Sequence, residues 1–183
     1  MPDETEAVGL LALMLLLDSR REARTSADGS LVALSDQDRS RWDTALIEEG
    51  RQLVRRCLRE NRPGPYQIQA AINAVHADAT SVDHTDWRQI VLLYDQLAAF
   101  DPSHVVALNR AVAVSEVSGP QAALDLIDGL DLDGYHIFHA VRADLLRRLG
   151  RNADARAAYE RAIERTDNEA ERAYLAGRRD NLA

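Results

Sequence analysis

The chain has 183 residues, of which 46% are apolar and only 5% aromatic, which is enough apolar content for one well-buried domain. Leu, Ala, Arg, Glu and Asp dominate and β-branched runs are scarce, so the composition predicts an all-α fold. The net charge of −8 argues against direct nucleic-acid binding, because neutralising phosphates requires clustered Lys and Arg in excess.

The first predicted helix spans residues 3–24 and contains a strongly apolar run at 8–17. This run is about half of the ~20 residues that a membrane span needs, and the acidic residues before it argue against a signal peptide. A helix that is apolar on nearly all sides must be covered on more than one face. We therefore expect a neighbouring repeat, a second copy of the chain or an upstream element to pack on it, and we expect that an upstream part has been removed.

Capping and turn signals predict the helices that follow. Ser35 and Asp38 resemble a capping box and would start a second helix that runs to Glu60. The Pro-Gly-Pro turn at 63–65 and the Gly-Pro pair at 119–120 separate later helices. The predicted helices occupy 3–24, 35–60, 66–79, 86–100, 104–117, 120–130, 135–149, 152–165 and 168–177.

Residues 139–163, HAVRADLLRRLGRNADARAAYERAI, read as one complete tetratricopeptide hairpin. Gly150 would end its first helix, and it follows Gly119 by 31 residues, close to the ~34-residue period of this repeat class. Because one such unit cannot bury its apolar side alone, similar hairpins should stack against it. The small, aliphatic and aromatic positions of this hairpin are Ala143, Leu146, Leu149, Ala155, Tyr159 and Ala162.

These elements predict one domain over residues 1–183, a right-handed superhelix of about four stacked helical hairpins with a C-terminal capping helix. The hairpins would cover about 3–60, 65–100, 104–130 and 135–165, and the cap 168–180.

Residues that could carry chemistry are few. His136 and His139 stand at i, i+3 on one helix, but no third ligand follows at a fixed offset, so we expect no metal and no cofactor.

Cys57 is the only cysteine, which excludes an intrachain disulfide and favours a cytoplasmic location. Its helical spacing with apolar residues predicts a core position. Asp83, His84 and Asp86 fit helix capping better than acid–base work, and no catalytic motif is present, so we expect no enzyme.

Two regions are candidates for binding a partner. The segment 36–43, DQDRSRWD, could be structural, with Arg39 pairing with Asp43 and Trp42 joining the apolar stripe, or a protein-binding hot spot. The second region is the concave face of the stacked hairpins, where polar residues of the first helix of each pair could bind a peptide or a carboxylate, or simply be solvated. The candidates are Asp36, Asp38, Arg39, Arg41 and Trp42 in the segment, and Gln69, Asn73, His76, Asn109, Arg110, His139 and Arg142 on the face.

Several long fragments, including PGPYQIQAAINAVHADA, TDWRQIVLLYDQL and VVALNRAVAVSEVSGPQAAL, occur in an order that resembles one family. They are similar to the C-terminal tetratricopeptide-like extension of a group of bacterial extracytoplasmic-function RNA polymerase sigma factors. GLLALMLLLDSRREAR and LSDQDRSRWDTALIEEG match the start of that extension, so the resemblance covers about residues 6–172. The promoter-binding and polymerase-binding helices that should precede it are absent from this sequence.

The resemblance implies a regulatory module that contacts the sigma promoter-binding regions, normally in the same polypeptide, or RNA polymerase. A different hypothesis is a sensor in which a small ligand or peptide occupies the concave side between His76, Asn109 and His139. A homodimer through the exposed N-terminal helix is a further expectation, and neither a membrane nor a nucleic acid is an expected partner.

Overall fold

The computed structural model describes residues 4–182, and these residues form nine α-helices, four short 3₁₀ segments and no named strand. The protein is therefore all-helical over this range. In chain order the helices are α1 (Glu4–Asp18), α2 (Thr44–Glu60), α3 (Pro65–Asp78), α4 (Trp87–Phe100), α5 (His104–Ser118), α6 (Pro120–Ile127), α7 (His136–Arg148), α8 (Asn152–Glu164) and α9 (Glu169–Asp180).

The first two predicted helices have the wrong bounds. α1 ends at Asp18 rather than at residue 24, and α2 begins at Thr44 rather than near Ser35. The Asp43 carboxylate caps α2 by accepting hydrogen bonds from the backbone N–H groups of Ala45 at 2.9 Å and Leu46 at 3.1 Å. The Ser35 hydroxyl instead bonds to the neighbouring Asp36 carboxylate, so the capping-box prediction was wrong.

The segment between α1 and α2 contains three 3₁₀ segments, Arg21–Ala23, Leu34–Asp36 and Arg39–Arg41. The seven later helices lie within three residues of their predicted bounds.

Each helix packs against the next one in the chain, and α1 also packs against α3. After the long segment that joins α1 to α2, the connections are short, which is typical of antiparallel helix pairs. Ala12 and Leu16 of α1 are 0% and 1% exposed because α2 and α3 cover two of its sides. Three large side chains of α1 stay exposed and form what we call the α1 stripe: Leu10 at 37%, Leu11 at 46% and Met14 at 58%.

The small residues predicted at the crossing of α7 and α8 are buried. Ala143, Ala155 and Ala162 are each 0% exposed, and Tyr159 is 2% exposed. Gly150 ends the α7 turn with a φ of 71°, a left-handed conformation that glycine adopts without steric cost. These predictions from the 139–163 hairpin are confirmed.

Candidate functional site: the central cavity

A cavity of about 600 Å³ lies between the 33–39 segment and α3, α4, α5, α7, α8 and α9, and we call it the central cavity. Part of its wall is apolar or aromatic, with Trp87, Ile90 and Tyr94 from the α4 side and Val112 and Val141 from α5 and α7. Helices distant in sequence thus converge on one space, which is the usual setting for a ligand site in a helical protein.

A group of ion pairs lines another part of the central cavity. Asp144 of α7 accepts hydrogen bonds from Arg147 and from Arg178 of α9, each at 2.8 Å. Arg148 donates to Glu116 of α5 at 2.6 Å. These pairs connect α5, α7 and α9. Each of the three guanidinium groups forms an ion pair with a carboxylate.

The 33–39 segment, from the N-terminal third of the chain, forms part of the cavity wall. Asp36 lines it, and its charge contributes to raising the pKa of Tyr174 on α9, although burial of Tyr174 is the main cause. The first and last thirds of the chain therefore face each other across this space.

Trp42 and Arg39 hold the 36–43 segment in place. Trp42 is 5% exposed, and the Arg39 guanidinium lies 4.6 Å from the centre of its ring, a cation–π contact. The Arg39 Nη1 donates to the backbone carbonyls of His76 at 2.5 Å and Ala79 at 2.9 Å, at the end of α3. The predicted Arg39–Asp43 ion pair is therefore absent, because Arg39 donates to carbonyls at the end of α3 while Asp43 caps α2.

The other charged residues of this segment do not all reach the cavity. Asp38 caps the 3₁₀ segment at Arg39–Arg41 by accepting from the Ser40 N–H at 2.9 Å. Arg41 is exposed and, unlike Arg39 and Asp36, does not line the cavity.

Of the three α3 candidates, His76 lines the cavity, whereas Gln69 and Asn73 do not. The His76 ring makes an edge contact with Trp87, with ring centroids 5.2 Å apart. Burial, followed by the nearby charges of Arg20 and Arg39, lowers the pKa of His76 to about 4.

The Asn73 amide has structural partners instead: it accepts from Arg20 at 2.9 Å and donates to the Gln69 carbonyl at 2.9 Å. On α5, Asn109 lines the cavity, but Arg110 turns away and pairs with Asp95 of α4 at 2.6 Å.

His139 and Arg142, which were predicted on the concave face, do not line the central cavity. His139 is 1% exposed, and its Nε2 lies 2.7 Å from the carbonyl oxygen of Asp133, in the loop before α7. Arg142 pairs with Asp128 at the end of α6. Both side chains therefore hold the 128–135 connection against α7, and neither lines the central cavity.

The sequence interpretation missed Asp144, Arg148, Tyr174 and Arg178 as cavity residues. Asp144 and Arg148 lie on the same predicted first helix as His139 and Arg142, but on its other side. Only the rotation of α7 about its axis distinguishes the two sets, and helical spacing alone does not set that rotation.

Within residues 4–182, no three His, Cys, Asp or Glu side chains come together in a group that could hold a metal ion. His136, one member of the predicted histidine pair, lies 3.0 Å from Glu171 of α9. In the same range of residues, every helix is too short or too polar to span a bilayer.

The chain is similar to one protein family over its N-terminal part and to one curated protein over its whole length. A model described as "Family of unknown function (DUF6596)" matches residues 1–58. The uncharacterized protein R00370 of Rhizobium meliloti (strain 1021) is 48% identical over 184 residues, a match that covers 100% of this chain and 44% of that protein. The chain thus spans less than half the length of this relative. No solved structure matches the chain.

Proposed function

We propose that this chain is a regulatory protein-interaction domain of a bacterial extracytoplasmic-function sigma factor. In this proposal it acts in the cytoplasm, without catalysis and without touching DNA itself, through contacts with the sigma promoter-binding regions or RNA polymerase. The resemblance over residues 6–172 supports this assignment. The relative from Rhizobium meliloti has more than half of its length outside the match, as expected if such a domain is joined to other regions.

The proposed architecture is a right-handed tetratricopeptide-like superhelix of about four hairpins and a cap. Its support is the packing of successive helices and the crossing of α7 and α8 through Ala143, Ala155 and Ala162, which are all fully buried. Stacked hairpins of this kind commonly present extended binding surfaces.

The observation that carries the interaction proposal is the α1 stripe. Leu10, Leu11 and Met14 lie one helical turn or less apart on the side of α1 that α2 and α3 leave open. A contiguous exposed apolar surface is typical of protein–protein contacts. We assign this stripe to the sigma regions.

A pull-down of this chain with the promoter-binding regions of a sigma factor of this group tests the proposal. The double variant Leu11→Ser, Met14→Ser should abolish the association, whereas Leu92→Ser should preserve it, since Leu92 is a 61% exposed leucine on α4. Free affinity is expected to be weak, because tethering in one polypeptide supplies effective concentration. No association at high concentration, or equal loss in both variants, would contradict the proposal, and self-association detected by light scattering would assign the stripe to a homodimer.

The central cavity favours a second candidate function, a sensor of a small ligand. Its volume of about 600 Å³ falls within the ~300–1,000 Å³ usual for small-molecule sites. A ligand that binds only the native state must raise the melting temperature. Thermal-shift screening of metabolite mixtures therefore tests this candidate, and an unchanged melting temperature with every mixture would count against it.

A further inference from the structure

The charges around the central cavity differ from those of the chain as a whole. Four arginines and three carboxylates line the cavity, so it has an excess of one positive charge, whereas the chain has a net charge of −8. Arg147, Arg148 and Arg178 pair with Asp144 and Glu116. Arg39 is the lining arginine for which residues 4–182 provide no carboxylate within 4 Å.

Arg39 lies near Arg20, and among the described residues 4–182 no carboxylate lies within 4 Å of either guanidinium. Arg24 is a further cation near Arg20, and residues 4–182 likewise place no carboxylate within 4 Å of it. The Arg20 Nε is buried without a hydrogen-bond partner in the same range, and its guanidinium lies 5.8 Å from the Trp42 ring centre. Burial, then the charges of Arg24 and Arg39, lowers the pKa of Arg20 to about 10. An anion next to Arg39 would relieve this mutual repulsion.

The donors of Arg39 remain available for such an anion. Both of its hydrogen bonds, to the carbonyls of His76 and Ala79, use Nη1, so Nη2 and Nε have no hydrogen-bond partner among residues 4–182. A guanidinium group binds a carboxylate through two parallel N–H donors. The neighbouring wall of Trp87, Ile90 and Tyr94 is suited to an apolar or aromatic body.

We propose that the central cavity binds a small organic acid, with its carboxylate on Arg39 and its apolar body against Trp87, Ile90 and Tyr94. A singly charged carboxylate matches the excess of one positive charge among the residues that line the cavity, whereas a phosphate monoester carries almost twice that charge at neutral pH. This inference rests on the second candidate function, the ligand sensor, and gives that sensor a ligand class.

Intrinsic fluorescence measures binding directly, since the only two tryptophans of the chain, Trp42 and Trp87, contact Arg39 and His76 respectively. The probes are phenylacetate and octanoate, their neutral amides phenylacetamide and octanamide, and phenyl phosphate. Each acid should bind at least about tenfold more tightly than its amide, because the amide has no negative charge and offers Arg39 one acceptor oxygen instead of two.

Three variants locate the site. Arg39→Gln should remove the preference for acid over amide, and Arg41→Gln should keep it, since Arg41 lies two residues away, is exposed and does not line the cavity. Val112→Phe should weaken binding of acids and amides alike by filling the cavity from α5, which tests the site even if Arg39→Gln is poorly folded.

Equal affinities for acids and amides would overturn the ligand class while leaving the sensor candidate standing. A preference that survives Arg39→Gln, or tighter binding of phenyl phosphate than of phenylacetate, would likewise overturn the assignment. If no probe binds at millimolar concentration and thermal-shift screening is also negative, both this inference and the sensor candidate fail. The α1 stripe proposal is unaffected by any of these results.

Discussion

Replacing Gly9 with Ala should destabilise the protein, because the backbone of α3 lies close to this glycine of α1. A Cβ atom at Gly9 would lie 2.6 Å from the Gln67 Cγ, 2.8 Å from the Gln67 backbone N and 3.0 Å from its Cα. Two of these atoms belong to the α3 backbone and cannot move alone. The two helices would have to separate by about half an ångström to restore ordinary van der Waals contact.

The magnitude follows from two opposing effects. Glycine to alanine inside a helix stabilises it by about 1 kcal/mol through helix propensity. Overpacking of a tight contact costs about 1–3 kcal/mol, and displacing Gln67 weakens the hydrogen bond that its Nε2 donates to Glu6 at 2.8 Å, which adds about 1 kcal/mol or more. Gly9→Ala should therefore reduce the free energy of unfolding by about 1–3 kcal/mol.

Gly177→Ala is the matched control, since Gly177 lies inside α9 with no atom within 4 Å of its added Cβ. It should raise the free energy of unfolding by up to about 1 kcal/mol, or Tm by about 2–4 °C. Urea unfolding followed by far-UV circular dichroism measures both variants. Gly9→Ala as stable as Gly177→Ala would refute the close approach of α1 and α3 at this position.

Three further predictions address local features. Between pH 7 and pH 5 the protein should lose about 2 kcal/mol of stability that the His76→Gln variant does not lose. In the unfolded chain the imidazole takes up a proton below its usual pKa of 6.5, whereas in the folded protein its pKa is lowered to about 4 and it stays neutral. Parallel pH dependence of unfolding in both proteins would contradict this. Because Asp43 caps α2, Asp43→Ala should reduce the free energy of unfolding in urea by about 1 kcal/mol, and Ser35→Ala should reduce it by less than about 0.5 kcal/mol. A larger loss in Ser35→Ala than in Asp43→Ala would support the predicted helix start near Ser35. Cys57 is 4% exposed, and burial raises the pKa of its thiol. Ellman's reagent should therefore modify Cys57 slowly in the native protein and rapidly in urea, and equal rates would place it outside the core.

The sequence predicted α3 to α9 closely because their ends depend on local signals. Gly119 adopts a φ of 88° and Pro120 follows it as the first residue of α6, so one Gly-Pro pair ends one helix and begins the next. The start of α2 was predicted wrongly because Ser35, Asp38 and Asp43 offer similar local signals, although Ser35 lies within a 3₁₀ segment and only Asp38 and Asp43 cap a 3₁₀ or helical turn. The docking of Trp42 and Arg39 against the end of α3 decides among them.

The candidate site was predictable only in part. His76 and Asn109, two of the residues predicted on the concave face, line the central cavity, and so do Asp36 and Arg39 of the 36–43 segment. His139 does not, although it lies on a predicted first helix, because the hydrogen bond to the Asp133 carbonyl directs its ring into the core.

The sequence by itself determined the all-helical class, the limits of the later helices and the tight α7–α8 hairpin, because each depends on residues a few positions apart. Only the tertiary structure decided which side of each helix faces the cavity. It also decided that the 33–39 segment faces α9, and that residues 4–182 give Arg39 no carboxylate partner of the kind that Arg178 has in Asp144. These contacts join residues far apart in the chain, and they depend on the rotation and crossing of packed helices, which local patterns do not specify.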